Sequence, residues 1–134
     1  MPKTIEQKPF FKNTTPERLY EIYISSKEHG KMIGARVSIK DEEGTKFKAH
    51  DGWIIGKTLQ LIPGKLIIQS WRGKDWRKNE IDSTLILRFN KVRGGAEIHM
   101  VHANVPDRYA KDIDQGWDQY YWKNLRKYLQ LTSF

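Results

Sequence analysis

Alternation of apolar and polar residues dominates the middle of the chain. It predicts β-strands, because successive side chains of a strand point to opposite faces of a sheet. In residues 46–50, for example, it places Phe47 and Ala49 on the buried face and the lysines between and before them on the other. The predicted strands cover residues 4–12, 35–40, 46–50, 53–62, 66–72, 84–89 and 96–103. The pattern therefore predicts a seven-stranded antiparallel sheet whose strands are joined by short turns.

Helical spacing replaces alternation after the first strand. Thr15 is a residue type that caps helices, and Pro16 suits the first helical position because its missing N–H would be unsatisfied there anyway. A second short helix begins at Ser25 or Ser26 and is ended by Gly34. We therefore predict two short helices between the first and second strands.

A long amphipathic helix is predicted near the C-terminus, over residues 107–131. Its apolar stripe consists of Ala110, Ile113, Trp117, Tyr121, Leu125 and Tyr128. Gly116 lies in its interior, where glycine costs about 1 kcal/mol relative to alanine, and so predicts a close backbone approach. A sheet with one apolar face needs a cover, and this helix is available to provide it. Large aromatic side chains suit the walls of a gap between a curved sheet and such a helix.

Composition narrows the class of protein. The chain has 134 residues and a formal charge of +8, and it contains no cysteine. The absence of cysteine excludes thiolate nucleophiles, disulfide frameworks and cysteine-ligated metal sites. No apolar run approaches the roughly 20 residues that cross a bilayer, and the residues after Lys3 do not resemble a secretory signal. We expect a single cytoplasmic domain over residues 1–134, with no membrane association, no metal and no cofactor.

The positive charge is concentrated in residues 64–93, which hold eight basic and three acidic side chains. Within them, aromatic rings alternate with cations, and the side chains that we assign to a partner or anion surface are Arg72, Lys74, Trp76, Arg77 and Lys78. Cations neutralise phosphates and indoles stack on unpaired bases, so this pattern is also typical of single-strand RNA binding. We favour a solvated hairpin loop whose tryptophans turn back into the core, because no recognised RNA-binding signature accompanies the pattern. Nucleic acid is therefore not an expected partner.

Five stretches of the chain, in order, resemble the family named for the C-terminal domain of the activator of heat-shock protein 90 ATPase. They are residues 26–35, 47–56, 61–72, 104–106 and 116–122, and they include the sequences FKAHDGWIIG, LIPGKLIIQSWR and GWDQYYW. That family belongs to the helix-grip (START-like, SRPBCC) superfamily, which also contains the birch-pollen allergens and the polyketide cyclases. The resemblance implies an α+β fold in which a curved antiparallel seven-stranded sheet wraps around the long C-terminal helix, with two short helices after strand 1.

Small-molecule binding is the function that the resemblance implies, with a hydrophobic or amphipathic ligand in a cavity between sheet and helix. Strand parity puts His102 on the face of Ile98 and Met100, and Gln69 on the face of Trp71. A buried histidine with a structural role is the simpler interpretation of His102. The candidate ligand-binding residues are Phe47, Trp53, Gln69, Trp71, His102, Trp117 and Tyr121.

Two other functions stay open. The resemblance also implies a chaperone-interaction module, which would meet a heat-shock protein 90 type chaperone through the basic segment at residues 72–78. A cyclase or hydratase type of enzyme would use Asp51 and His102 as catalytic residues, although Asp51 precedes Gly52 and is more simply a turn aspartate that bonds backbone amides. We expect a binding protein rather than an enzyme, either a monomer or a homodimer, with an unidentified small hydrophobic ligand.

Overall fold

The computed structural model describes residues 1–132. Two short helices follow the first strands, a run of antiparallel strands fills the middle, and a helix with a π-helical turn in its centre occupies the C-terminal part. In chain order the elements are β1 (Lys3–Gln7), β2 (Phe10–Lys12), α1 (Pro16–Ile24), α2 (Ser26–Ile33), β3 (Lys46–Ala49), a 3-10 turn (His50–Gly52), β4 (Ile54–Ile62), β5 (Leu66–Gly73), β6 (Ser83–Val92), β7 (Gly95–Val105), α3 (Asp107–Gly116), the π-helical turn (Trp117–Trp122) and α4 (Lys123–Thr132). The last three together are called the C-terminal helix below.

The seven strands form one antiparallel sheet in the order β1-β7-β6-β5-β4-β3, with β2 also paired to β7. One face of the sheet is buried against the helices, and it carries Ile67, Leu85, Leu87 and Met100 with almost no exposure. The predicted alternation in β3 is confirmed, since Phe47 and Ala49 are buried while the lysines are exposed. The predicted α+β helix-grip arrangement of sheet, two short helices and a long C-terminal helix is confirmed as well.

The first predicted strand is in fact two strands. β1 and β2 both pair with β7, and the register continues across the break, from Gln7 opposite Met100 to Phe10 opposite Glu97. The break falls at Pro9, which has no backbone N–H to give to the ladder.

The strand predicted over residues 35–40 is wrong. Only an isolated bridge between Ser38 and Lys48 forms there. The hydroxyl of Ser26 donates to the carbonyl of Ile39 and accepts from its N–H, both at 2.8 Å. The backbone of Ile39 is therefore satisfied by a side chain of α2, and this segment crosses beside β3 without joining the ladder.

Both short helices begin where the sequence predicts, and the second also ends at the predicted residue. The hydroxyl of Thr15 accepts from the N–H of Arg18 (3.1 Å), and the hydroxyl of Ser25 accepts from the N–H of Glu28 (3.2 Å). Gly34 ends α2 in the left-handed conformation at φ 72°, which glycine adopts without strain.

The C-terminal helix has the predicted range and apolar stripe. Trp117, Tyr121 and Leu125 are buried, and the other residues of the stripe are half-buried. The helix is not α-helical throughout, because Trp117–Trp122 is wound as a π-helix. None of the helices in residues 1–132 combines the length and apolar character needed to cross a membrane.

Gly56 tests the packing of the sheet. A Cβ atom at this position of β4 would lie 1.9 Å from the carbonyl oxygen of Ser70 and 2.6 Å from the Phe47 ring. We expect Gly56→Ala to lower the free energy of unfolding by about 3 kcal/mol, because neither neighbour can move without disturbing the sheet. Lys57→Ala, at the next and exposed position, should change it by less than about 0.5 kcal/mol. Urea unfolding measures both, and equal stability of the two variants would contradict this packing.

Candidate functional site

A π-helical turn, Trp117–Trp122, positions the large aromatic residues of the C-terminal helix. Its winding is wider than that of an α-helix, since the N–H of Lys123 donates to the carbonyl of Asp118, five residues earlier. In an α-helix, side chains five positions apart point about 140° away from each other. The wider turn brings Trp117 and Trp122 to one side, where their rings stack with centroids 5.5 Å apart and planes at 20°.

Each buried aromatic residue of this turn has its polar atom bonded to a different element of the fold. The three hydrogen bonds, donor first, run from Trp117 Nε1 to His102 Nδ1 (3.1 Å), from Tyr121 Oη to His29 Nε2 (2.9 Å) and from Trp122 Nε1 to Gln7 Oε1 (2.6 Å). The acceptors lie in β7, α2 and β1. The π-helical turn therefore joins the C-terminal helix to the sheet and to the second short helix through hydrogen bonds as well as apolar packing.

His102 belongs to a directed chain of hydrogen bonds. Because the Trp117 indole can only donate, Nδ1 of His102 accepts and Nε2 carries the proton. Nε2 then donates to the hydroxyl of Ser83 (2.8 Å), and that hydroxyl donates to the carbonyl of Trp71 (2.8 Å). His102 is fully buried, and burial lowers its pKa to about 3. Both of its ring nitrogens are thus engaged by the protein, and the ring is neutral at physiological pH.

His29, in α2, likewise has both ring nitrogens bonded within the protein. Its Nδ1–H donates to the carbonyl of Tyr23 (2.8 Å), which leaves Nε2 to accept from the Tyr121 hydroxyl. Burial lowers the pKa of His29 to about 4. The Tyr23 hydroxyl donates to Oε1 of Gln69 (2.8 Å), whose amide donates to the hydroxyl of Thr58 (3.1 Å). Gln69 therefore connects α1 to the sheet and has both its amide atoms bonded.

The interior of residues 1–132 leaves no buried side-chain nitrogen or oxygen without a hydrogen-bond partner. In the same residues, no three His, Cys, Asp or Glu side chains form a group that could hold a metal ion. Polar groups that orient a ligand therefore have to lie nearer the surface.

A cleft of about 440 Å³ lies between the C-terminal helix and the connection from β3 to β4. Its deep part is formed by the buried rings of Trp71, Trp117 and Tyr121, and its mouth by Trp53 and Tyr120, which are 56% and 49% exposed. The other lining residues are Ala35, His50, Asp51, Ile54, Asp112, Ile113 and Gly116. Six aromatic rings line the cleft when His50 is included.

Four of the seven predicted ligand-binding residues line this cleft, namely Trp53, Trp71, Trp117 and Tyr121. The other three are buried in the core away from it: Phe47, Gln69 and His102. Ligand contact stays a prediction for all of them, and the first four are the ones that a ligand in the cleft would reach.

Asp51 lies in the wall of the cleft, in a strained turn. His50 and Asp51 both have left-handed backbone angles, with φ of 52° and 59°, which side-chain-bearing residues seldom adopt. The Asp51 carboxylate accepts from the N–H of Arg36 (2.9 Å), and this hydrogen bond holds the pKa of the carboxyl below its ordinary value. Among the described residues, no hydrogen bond joins Asp51 to His102. The catalytic pairing of these two residues, one of the alternatives that the sequence leaves open, therefore has no hydrogen bond to support it.

The predicted partner or anion surface lies on the loop after β5, and Arg72 stabilises the conformation of this loop. The guanidinium of Arg72 donates to the backbone carbonyls of Arg77 and Glu80 and pairs with Asp82 at 3.2 Å. Arg72 is therefore turned toward the loop, where its guanidinium adds charge-assisted hydrogen bonds to two backbone carbonyls. The surface role that we predicted for Arg72 is replaced by an internal one.

Trp76 turns back into the core, as the favoured hairpin interpretation predicts, and so is not part of the partner surface to which we also assigned it. It is buried, with its ring stacked on Tyr109 at 5.8 Å and 11°, and the missing side chain of Gly73 makes room for it. Lys74 lies with its ammonium 5.7 Å from the ring centroid of Trp53. The remaining cations of the loop, Arg77 and Lys78, are exposed as predicted.

Three polar residues of the cleft, His50, Asp112 and Tyr120, were not predicted from the sequence. His50 follows the alternation of β3, in which its position corresponds to the outward lysines, but its left-handed backbone turns its ring toward Tyr120, with the ring centroids 5.6 Å apart. Asp112 and Tyr120 lie eight positions apart on the C-terminal helix, in a row with Gly116 that runs one position before the apolar stripe. The spacing of Asp112, Gly116 and Tyr120 at i, i+4 and i+8 was the sequence signal that these residues share one side of the helix. Within residues 1–132, no hydrogen bond reaches the side-chain polar atoms of these three residues.

Gly116 does not mark a close backbone approach, so that prediction is wrong. It has ordinary helical angles, φ −63° and ψ −33°. A Cβ atom there would meet only the ring of Tyr120, at the van der Waals distance of 3.6 Å. What the glycine does provide is space in the cleft, between Asp112 one turn before it and Tyr120 one turn after it.

Sheet, C-terminal helix and aromatic cleft together define a helix-grip protein. The profile of the family described as Activator of Hsp90 ATPase homolog 1-like protein matches residues 13–130, and the chain belongs to this family. It is 28% identical over 114 residues to human Activator of 90 kDa heat shock protein ATPase homolog 1, covering 85% of this chain and 33% of the human protein. It is 26% identical over 117 residues to the Dictyostelium discoideum homolog, covering 86% and 30% of the two chains. The chain thus spans about a third of the curated relatives it matches.

Solved structures share the fold over the full length of the chain. An HSP90 activator from Plasmodium falciparum superposes with a TM-score of 0.83 at 21% identity, covering 97% of this chain and 96% of that one. The solution structure of an Aha1 dimer from Colwellia psychrerythraea gives 0.82 at 16% identity, covering 98% and 99%. At these identities the likeness concerns the fold.

The two buried histidines predict how stability depends on pH. Burial lowers the pKa of His102 to about 3 and of His29 to about 4, and both return to about 6.5 in the unfolded chain. Between pH 6.5 and 4 the unfolded chain therefore takes up protons that the folded chain does not, so stability falls as the pH decreases. We expect a loss of about 2 kcal/mol for each histidine between pH 7 and pH 5.

Denaturant unfolding of His102→Gln at pH 7 and pH 5 checks this expectation. The variant should be less stable than the wild type at pH 7, yet it should lose about 2 kcal/mol less between the two pH values. His99→Gln, on the outer face of the sheet, should keep the steep wild-type dependence. A pH dependence of His102→Gln as steep as that of the wild type would refute the buried neutral state.

Proposed function

We propose that the protein binds a small apolar or amphipathic molecule in the cleft between the C-terminal helix and the β3–β4 connection. The observation that carries this proposal is Gly116. A glycine in a helix interior costs about 1 kcal/mol relative to alanine, and here neither backbone angle nor neighbouring atom requires one. A side chain at that position would occupy the cleft, so the glycine is understandable as a residue that keeps a binding site open.

The size and chemistry of the cleft support the same function. Its volume of about 440 Å³ falls within the range of small-molecule sites. Aromatic rings form most of its walls, while His50, Asp112 and Tyr120 offer polar atoms that no protein group in residues 1–132 occupies. A largely apolar pocket with a few polar groups at its mouth is the usual composition of a ligand site.

We assign no catalytic role to the two residues that the sequence suggested. His102 has both ring nitrogens bonded within the protein, and with a pKa of about 3 it is too weak a base for proton transfer near neutral pH. Asp51 is occupied by the backbone of Arg36. We therefore propose that the cleft binds its ligand without converting it chemically.

Filling the cleft from Gly116 tests ligand binding. Gly116→Leu should fold, because leucine is a good helix former, and should be slightly more stable than the wild type. It should also lose at least tenfold in affinity for any compound that stabilises the wild type, and it should purify without a bound molecule. Native mass spectrometry and a thermal-shift screen of lipids, polyketides and flavonoids provide the two readouts.

Gln119→Leu is the matched control, with the same new side chain on the same helix outside the cleft. It should bind as the wild type does. If no molecule co-purifies with the wild type and no compound raises its melting temperature, the ligand-binding proposal fails.

A second candidate function is contact with a heat-shock protein 90 type chaperone. The curated relatives are named as activators of the ATPase of 90 kDa heat shock protein, and the chain matches about a third of their length. A rigid cationic surface supports this candidate. Arg72 donates to carbonyls of the loop after β5, and Arg108 makes a bidentate pair with Glu80 (3.0 and 2.8 Å), so Arg77 and Lys78 are presented to solvent on a fixed loop.

Charge reversal on that loop tests the chaperone contact. Arg77→Glu combined with Lys78→Glu should weaken binding of a heat-shock protein 90 type chaperone at least tenfold at low salt, because complementary charge steers such encounters. Lys40→Glu combined with Lys57→Glu changes the net charge equally on other exposed positions and should have a much smaller effect. Calorimetric titration and the chaperone's ATPase rate measure the outcome. Absence of binding and of any change in ATPase rate for the wild type would rule this candidate out.

A further inference from the structure

The charge around the cleft is opposite in sign to that of the protein. The chain carries a formal charge of +8, with 24 basic and 16 acidic side chains. The cleft nevertheless has only acidic charged residues in its lining, Asp51 and Asp112, and no lysine or arginine. Since His50 is neutral, because burial lowers its pKa, the lining itself contributes negative charge alone.

Asp112 supplies the part of this charge that the protein does not compensate. The Asp51 carboxylate accepts from the backbone of Arg36 and also lies 3.5 Å from its guanidinium. Asp112, by contrast, has no hydrogen bond or ion pair with any residue from 1 to 132. Its carboxylate lies on the same helix row as Tyr120, and Gly116 leaves the space between them open.

The aromatic rings at the mouth are also suited to a cation. Trp53 and Tyr120 are about half exposed, so a ligand has access to their ring faces. The electron-rich face of an indole attracts ammonium groups. Trp53 already does so within the protein, because the ammonium of Lys74 lies 5.7 Å from its ring centroid.

For an anionic ligand, the electrostatic interaction with the cleft would be unfavourable. Its charged group would enter a lining with two carboxylates and no cation. Two cations that contact lining residues are already paired, Arg36 with Asp51 and Lys74 with the Trp53 ring. Lys74 also opposes a cationic ligand to some extent, which makes it useful for a test.

We propose that the cleft selects organic cations, in which an amine or quaternary ammonium group on an apolar body lies between Asp112 and the rings of Trp53 and Tyr120. This inference rests on the proposed ligand-binding function and adds the charge of the ligand to it. The apolar body would occupy the deep part of the cleft, against Trp71 and Trp117.

Three probes of matched shape isolate the effect of charge: phenyltrimethylammonium, its neutral isostere tert-butylbenzene, and the anion benzenesulfonate. Titrations would be followed by NMR through the indole N–H signals of the wild-type protein. We expect the cation to bind at least fivefold more tightly than the neutral isostere, and the anion to bind more weakly than both.

Variants assign this preference to particular residues. Asp112→Asn should lower the affinity for phenyltrimethylammonium about fivefold and leave tert-butylbenzene within twofold. Lys74→Gln should raise the affinity for the cation, since it removes a competing ammonium from the Trp53 ring. Asp118→Asn makes the same charge change on the same helix outside the lining and should have no effect.

The outcomes separate this inference from the function on which it rests. Equal binding of cation and neutral isostere, or unchanged cation binding in Asp112→Asn, overturns the charge preference and leaves ligand binding standing. Failure of all three probes to shift any indole signal at their solubility limit also overturns the inference. Ligand binding itself is then decided by the co-purification and screening results for the wild type and Gly116→Leu.

Discussion

The hydrogen bond from the Trp117 indole to His102 is the interaction on which much of the structure depends. It fixes the tautomer of the histidine, and through it the orientation of the Ser83 hydroxyl and of the bond to the Trp71 carbonyl. It also sets the rotation of the C-terminal helix, because the indole has to face β7. With that rotation fixed, a regular α-helix would point Trp122 about 140° away from Trp117, and the π-helical turn brings its indole to Gln7.

Burial and hydrogen bonding divide the polar groups of the protein into two sets. Those of the interior, such as His29, Gln69 and His102, bond with one another and with the backbone and stabilise the contact between helix and sheet. Three side chains of the cleft, His50, Asp112 and Tyr120, have no hydrogen-bond partner within residues 1–132. A protein interior that satisfies all its own polar atoms has little left to recognise a ligand, so recognition is expected at the mouth, where strain and an otherwise unnecessary glycine also occur.

Local patterns predicted most of the fold because they report local physics. Capping hydroxyls such as that of Thr15 act within one turn, and alternation decides which face of a strand is buried. The same reasoning failed where a distant group intervenes. Ser26 removes Ile39 from the ladder through its side chain, and the π-helical turn arises from partners in three separate elements. Parity correctly placed His102 on the buried face and Gln69 on the face of Trp71, but burial is common to a packed core and to the wall of a cleft.

The irregular course of residues 35–40 has a consequence for how copies of this protein can meet. A free edge strand is a template on which another chain can add its own strand. Here one edge of the sheet, β3, is crossed by that segment through the single bridge of Ser38 and Lys48. At the other edge, the shift of register after Lys3 and the proline between β1 and β2 interrupt the row of donors and acceptors. The sheet is thus protected against growth into a continuous intermolecular ladder, and association between molecules is directed to their faces.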